Sequence, residues 1–282
     1  MFRRTKARTS PPRPLDARAA RAKSRGAMRT FGRFLHRDTL VYGEVREKEV
    51  RFLTQPFWLD FEFTGETRLL DELTIDVPVA PSKIIAVGLN YRDHIKEMQR
   101  TEIGSPLIWF KAPSSLLSHN GIIRIAFPEH KTDFETELAV VIGWTAKNAT
   151  VERALDHVLG YTIAEDISDR DLQRSEKQFS RCKSFDTYTP VGPFVYTEVE
   201  TGDLEISLRQ NGEVRQQART SQMIYSVAEI ISFASQSLSL LPGDLILTGT
   251  PSGVGPIRAG DELVARVGDW PVLQNRVEDA ES

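Results

Sequence analysis

The run Asp133-Phe-Glu-Thr-Glu-Leu-Ala-Val-Val-Ile-Gly143 constrains this chain more than any other stretch. Acids at alternate positions lead straight into consecutive aliphatic residues, which is the pattern of a strand with one exposed end and one buried end. Side chains alternate along a strand, so Glu135 and Glu137 project side by side. Two such carboxylates at the edge of a core repel each other, and one must take up a proton unless a cation neutralises them. An isolated pair of this kind is most often a solvated strand edge. Asp166 shifts that balance, because it closes a second buried run, LGYTIAED. Three carboxylates around one point form a hard-oxygen site for Mg²⁺ or Mn²⁺, with Ca²⁺ a further candidate.

Around that strand the chain reads as short strands and few helices. FGRFLHRD, LVYGEV and VRFLTQPFW read as strands of a small β-rich N-terminal lobe over 29–80, closed by the proline-punctuated VPVAPS. IIAVG (Ile84 to Gly88) is a compact strand, and NYRDHIKEM (Asn90 to Met98) gives one or two helical turns. IIRIAF and LGYTIAED are strands, and VERALDHV is a short amphipathic helix. Asn211-Gly212 between two strand-like runs is a hairpin signal. SVAEIISFASQSLSL has helical spacing, PGDLILTGTPSGVG is a strand followed by a glycine-rich loop, and GDELVARV is expected to be the final strand. No βαβ repeat appears. The expected fold is α+β, a mixed β-roll with few short helices, whose catalytic part spans 81–282.

The charge balance, -3 over 282 residues, points to neither nucleic acid nor membrane as a partner. One cysteine, Cys182, cannot form an internal disulfide, and no apolar run approaches the roughly 20 residues of a membrane span. A soluble, cytoplasmic protein is expected. Residues 1–28 stand apart: Arg- and Lys-rich, with Asp16 the only acid, they cannot bury enough surface to fold alone. They read as a disordered basic extension, either sequence upstream of a true start at Met28, a basic arm or a transit segment, and the first is favoured.

His94 and Glu97 share a face of a helical turn, and a carboxylate beside an imidazole raises its basicity and fixes its tautomer, although by spacing alone such a pair is more often an ordinary exposed one. Other features carry less. SGVG lacks the Lys-Ser/Thr of a phosphate loop, and Ser180-Arg181-Cys182-Lys183 has no accompanying KTG triplet. Cys182 reads as a packing residue, and His36, His119, His130 and His157 show no metal-ligand spacing.

GLNYRDHIKEM, WFKAPSS, DFETELAVVIG, AEDISDRDLQ and KSFDTYTPVGP, followed in order by NGEVRQ, TSQMIYSVAEII and LTGTPSGVG, resemble the fumarylacetoacetate hydrolase family. The resemblance implies metal ligands at Glu135, Glu137 and Asp166, and a catalytic dyad of His94 and Glu97. It implies that Lys183 meets developing negative charge, and that Arg170, Gln173 and Thr250 face substrate or a lid. It also implies a β-roll assembled as a homodimer. Departures fall at Glu165, Asp169 and Cys182; the two acids are expected to add negative charge, tightening metal binding or disfavouring a dianionic substrate.

The expected activity is metal-dependent hydrolysis of a C–C bond in an acylpyruvate-type 2-oxo acid through an enolate, of the kind used in aromatic degradation. Isomerisation of hydroxymuconate or hydroxyheptadienedioate type, or decarboxylation of oxaloacetate, would pass through the same enolate. A metal-binding pseudoenzyme is the non-catalytic alternative, and no ligand or dyad residue is missing to favour it.

Overall fold

The computed structural model describes residues 27–280, so the reading of 1–28 falls almost wholly outside the described residues. Strands β1 (Thr30–His36), β2 (Thr39–Arg46), β3 (Glu49–Leu53) and β4 (Phe63–Leu69) form an antiparallel meander, with β5 (Thr74–Asp76) on the other side of β1. Next come β6 (Ile84–Gly88), helix α1 (Arg92–Glu97) and β7 (Leu107–Lys111). The short β8 (Leu116–Leu117), β9 (Ile122–Ile125) and β10 (Thr132–Phe134) lead into β11 (Thr136–Ile142). Helix α2 (Val151–Ala154), β12 (Val158–Glu165), β13 (Ser168–Asp169), α3 (Arg170–Ser175) and β14 (Thr189–Tyr196) follow. The chain ends in the hairpin β15 (Glu205–Gln210) and β16 (Glu213–Arg219), helix α4 (Val227–Ser237), β17 (Leu245–Leu247), β18 (Gly255–Pro256), β19 (Glu262–Val267) and β20 (Leu273–Asp279).

These strands make a 12-stranded sheet whose main path is β4-β3-β2-β1-β14-β12-β11-β17-β6-β7, a five-stranded sheet β16-β15-β19-β20-β9, and a small β13-β10-β18 sheet. Pairing is mixed: β17 runs parallel to β6 and β20 parallel to β9, while β11 is antiparallel to both neighbours. Strand-dominated, with helices few and short, the chain forms the expected α+β architecture. Thr30 and Phe31 pair with Tyr196 and Val195, so the large sheet runs unbroken across residue 80.

The apolar run after Glu137 is explained by the two cores. Leu138, Val140 and Ile142 point into the one that also takes Ile230 and Ile231 of α4, and Ala139 and Val141 point into the other. Burying each large aliphatic side chain contributes about 1.5–3 kcal/mol, which fixes the register. A capping box closes the start of α4: Ser226 Oγ accepts from Glu229 N, and Glu229 Oε2 accepts from Ser226 N at 2.8 Å. Asn211 and Gly212 take positive φ at the β15–β16 turn, as the hairpin signal required.

Two expectations are corrected. GDELVARV is not the last strand; β20 follows, with Leu273, Asn275 and Val277 inward and Arg276 and Glu278 outward. The acidic end of the Asp133–Gly143 run is not exposed either, because buried cations cover it, and every residue from Thr132 to Ile142 is buried. No helix among the described residues is long and apolar enough to cross a membrane.

Candidate functional site

The β6 strand ends in a turn anchored by Asn90. Its buried amide donates to Thr248 O (2.7 Å) and Tyr225 O (3.0 Å) and accepts from Tyr225 N (2.7 Å), fastening the start of α1 to the exit of β17. That sets His94, 5% exposed, with Nδ1 3.0 Å from Glu97 Oε2. A carboxylate there assigns the proton to Nδ1 and leaves Nε2 as the free base. The other Glu97 oxygen accepts from Gly253 N at 3.0 Å. Gly253 has φ +98°, and a Cβ there would lie 2.0 Å from Arg215 O, so this contact demands glycine. Burial pushes the Glu97 carboxyl up, but the hydrogen bonds from His94 and Gly253 outweigh it and hold it below the usual value.

Between β10 and β11 the chain changes sheets at Glu135, whose carbonyl accepts from Asp166 N at 2.8 Å. This junction brings Glu135, Glu137 and Asp166 together, with potential ligand oxygens all within 4.8 Å of one another. Lys183 Nζ donates to Glu135 Oε2 and Asp166 Oδ2, each at 2.8 Å, and to Ser168 Oγ at 2.6 Å. Arg170 spans Asp133 (2.8 Å), Glu135 (2.5 Å) and Gln173 (2.8 Å). Burial works against ionisation of Glu135, but Lys183, Arg170 and His94 override it and hold its pKa far below normal.

Glu137 is different. Among the described residues its only hydrogen-bond donor is Gly249 N, at 2.6 Å, and no lysine or arginine pairs with it. Burial, Asp166 and Glu135 together push its pKa well above the usual carboxylate value. A buried carboxyl that needs one more cation, beside two acids paired with lysines, fits a hard divalent ion. The residues present therefore suit Mg²⁺ or Mn²⁺ held by Glu135, Glu137 and Asp166.

A cleft of about 510 Å³ opens onto this centre, and His94, Glu135, Glu137, Lys183, Arg170, Gln173 and Thr250 all line it. Asp166 lies beneath, fully buried, and Glu97 stands behind His94. The structure thus gathers every predicted site residue around one cleft. It also adds some. Lys111, from WFKAPSS, donates to Asp166 Oδ1 at 2.5 Å and Tyr188 O at 3.0 Å, wholly buried. Its only sequence signal is a lysine closing an apolar strand. Gln216 of NGEVRQ accepts from Thr136 N (3.0 Å) and donates to Thr250 Oγ1 (2.7 Å) and Pro251 O (2.8 Å), tying the hairpin to the site.

The extra negative charge expected from Glu165 does not materialise. Glu165 turns to the opposite face, bonded to Thr136 Oγ1, and burial pushes it up to about 8, so it is neutral near pH 7. Asp169 caps α3, accepting from Leu172 N at 2.9 Å, and its other oxygen meets His130 Nδ1 at 2.7 Å. His130, Asp169 and Asp171 form a second close group, knit together by contacts that include Lys131 N and Arg174 on Asp171. Cys182 is buried, as expected of a packing residue.

A family model described as the fumarylacetoacetate hydrolase C-terminal domain matches residues 83–278. The chain is 40% identical over 238 residues to Protein Rv2993c of Mycobacterium tuberculosis, covering 83% of this chain and 90% of that protein. It is 39% identical over 219 residues to a Bos taurus protein named oxaloacetate tautomerase FAHD2A, mitochondrial, covering 73% and 70%. Among solved structures, it matches a 2-hydroxyhepta-2,4-diene-1,7-dioate isomerase from Mycobacterium marinum at TM-score 0.83 and 36% identity, over 91% of this chain and 100% of that one. A fumarylacetoacetate hydrolase from Exiguobacterium antarcticum matches at TM-score 0.79 and 32% identity, over 89% and 100%.

Proposed function

The chain belongs to the fumarylacetoacetate hydrolase family, and from that premise we propose an enzyme that hydrolyses a C–C bond in acylpyruvate-type 2-oxo acids. The observation that carries this reading is the His94–Glu97 dyad: Nδ1 is held by a carboxylate, and the ring lines the same cleft as Glu135, Glu137 and Lys183. An ion held by Glu135, Glu137 and Asp166 would supply Lewis acidity that favours the enolate of a 2-oxo carboxylate. His94 Nε2 takes a proton from water, and Glu97 steadies the imidazolium. The hydroxide adds to the distal carbonyl carbon, the C–C bond breaks, and the departing pyruvate enolate is protonated from His94. Water is consumed, and a carboxylic acid and pyruvate leave. Since Lys183 already donates to Glu135, Asp166 and Ser168, it contributes its charge rather than a free donor.

A second reading is favoured by the names of similar proteins, an oxaloacetate tautomerase and a hydroxyheptadienedioate isomerase. The same base would then carry a proton between carbon and oxygen with no water consumed.

One assay separates the two: ultraviolet absorbance loss with acylpyruvates and hydroxydienedioates, beside enzymatic measurement of pyruvate. Hydrolysis predicts stoichiometric pyruvate, with His94→Ala slower by about 10²–10⁴-fold. Absorbance change without pyruvate sinks the hydrolase reading and leaves the tautomerase or isomerase.

A further inference from the structure

Arg170 and Gln173 line the cleft from α3, and the bend between β9 and β10 grips the first turn of that helix. Three contacts make the grip. Arg170 N donates to Lys131 O at 2.7 Å, Lys131 N donates to Asp171 Oδ2 at 2.6 Å, and His130 Nδ1 lies 2.7 Å from Asp169 Oδ2. Only the last has a donor that changes charge near neutral pH. Asp169 is fully buried, and its Oδ1 caps α3 by accepting from Leu172 N at 2.9 Å. One carboxylate thus ties the imidazole to the start of the helix, at a position where the chain departs from the family pattern.

The ring is held in place yet reaches solvent. His130 N donates to Phe127 O at 3.0 Å, and the imidazole lies against the Phe127 ring with centroids 4.9 Å apart. Phe127 is itself edge-on to Phe185 at 5.6 Å. The His130 side chain is 25% exposed, so it exchanges protons with water. Asp169, Asp171 and Glu129 surround it, against Lys131 on the same bend and Arg174 on α3. Arg174 pairs with Asp171, and Lys131 reaches Asp133 at 3.4 Å. The acids prevail: chiefly through the hydrogen bond to Asp169, they hold the imidazole pKa above its usual 6.5.

Resting on the 2-oxo acid reading above, we propose that His130 is a positioning residue for the cleft, steadying the start of α3 through Asp169 and so fixing Arg170 and Gln173. The charge-assisted bond of the imidazolium is roughly twice as strong as that of the neutral ring. Substrate is therefore held more tightly on the acid side, and the hold loosens as pH climbs through the raised value.

The test compares the full chain with His130→Gln, which keeps a donor that cannot be charged. Two readouts are taken at about pH 6 and about pH 8.5, on either side of the imidazole's titration: isothermal titration of 2-oxobutyrate at saturating Mg²⁺, and hydrogen-exchange protection of the Leu172 amide. Every other titrating group is common to both proteins, so the ratio of their affinities isolates residue 130. Wild type is expected to bind about 3- to 10-fold more tightly than the variant at the lower pH and within about 2-fold at the higher, with Leu172 protection following the same pattern. An affinity ratio that is the same at both pH values overturns the proposal. Should neither protein bind 2-oxobutyrate, the 2-oxo acid reading fails instead, and Leu172 protection alone decides. A wild-type advantage confined to the acid side then supports the positioning role of His130, and its absence refutes it.

Discussion

Burial, with Asp166 and Glu135 alongside, outweighs the backbone amide of Gly249, so Glu137 keeps its proton well above the ordinary carboxylate range. A divalent ion must displace that proton, so binding should tighten as pH rises toward the raised pKa. Thermal-shift titration with Mn²⁺ is expected to give a larger gain at about pH 8 than at about pH 6. Glu137→Gln, with no proton to lose, should shrink the gain and flatten its pH dependence. Without metal the sign reverses. The native carboxyl then binds its proton more tightly than the unfolded chain does, so stability falls as pH rises above the ordinary value of 4.5. The glutamine variant should escape that fall. Residues of this kind were legible in the sequence because acids two apart on a strand, or a histidine and acid three apart on a turn, define their own geometry. Lys111 was not, since its burial is decided by Asp166, 55 residues away in sequence, and no spacing announces that partnership.

Helix α3 is six residues long, yet it carries both Arg170 and Gln173 into the cleft, so the cap that starts it matters out of proportion to its length. Asp169→Ala removes the side chain that accepts from Leu172 N and is expected to cost about 1 kcal/mol in urea denaturation. Asp169→Asn retains a capping oxygen but loses the charge facing His130. The hydrogen bond to Asp169 raises the His130 pKa above 6.5, and that pairing stabilises the fold fully below 6.5 and fades as pH climbs through the raised value. The gap between wild type and Asp169→Asn should accordingly be present at about pH 5.5 and close at alkaline pH; a gap independent of pH would refute the pairing. Elements with a clean period were readable, as at IIAVG and the Asn211-Gly212 hairpin. Those that break local rules were not: β14 contains Pro190 and Pro193, residues that argue against a strand, yet it is buried throughout. Its place is set by β1 and β12 on either side rather than by its own residues.

At the scale of the whole molecule, the large and five-stranded sheets share one core, and Trp270 is a principal link between them. It stacks on Tyr196, at the end of β14, with ring centroids 4.4 Å apart. Trp270→Ala is expected to lower stability by about 3–5 kcal/mol by chemical denaturation. Because Trp270 does not line the cleft, turnover at temperatures where the variant stays folded should be near that of wild type. The topology carries one more consequence. Strand β17 lies between β11 and β6, although every other strand of the large sheet precedes it in the chain. Thr248 and Gly249, directly after it, supply the amides received by Leu138 O and the Glu137 carboxylate. During synthesis, then, the ribosome releases β6 and β11 with facing edges bare and must deliver residues 245–249 before either edge is satisfied. The acid-bearing strand is among the earlier central strands to be made and gains its last neighbour late, leaving a nascent chain most exposed to mispairing just before its metal-ligand geometry can form.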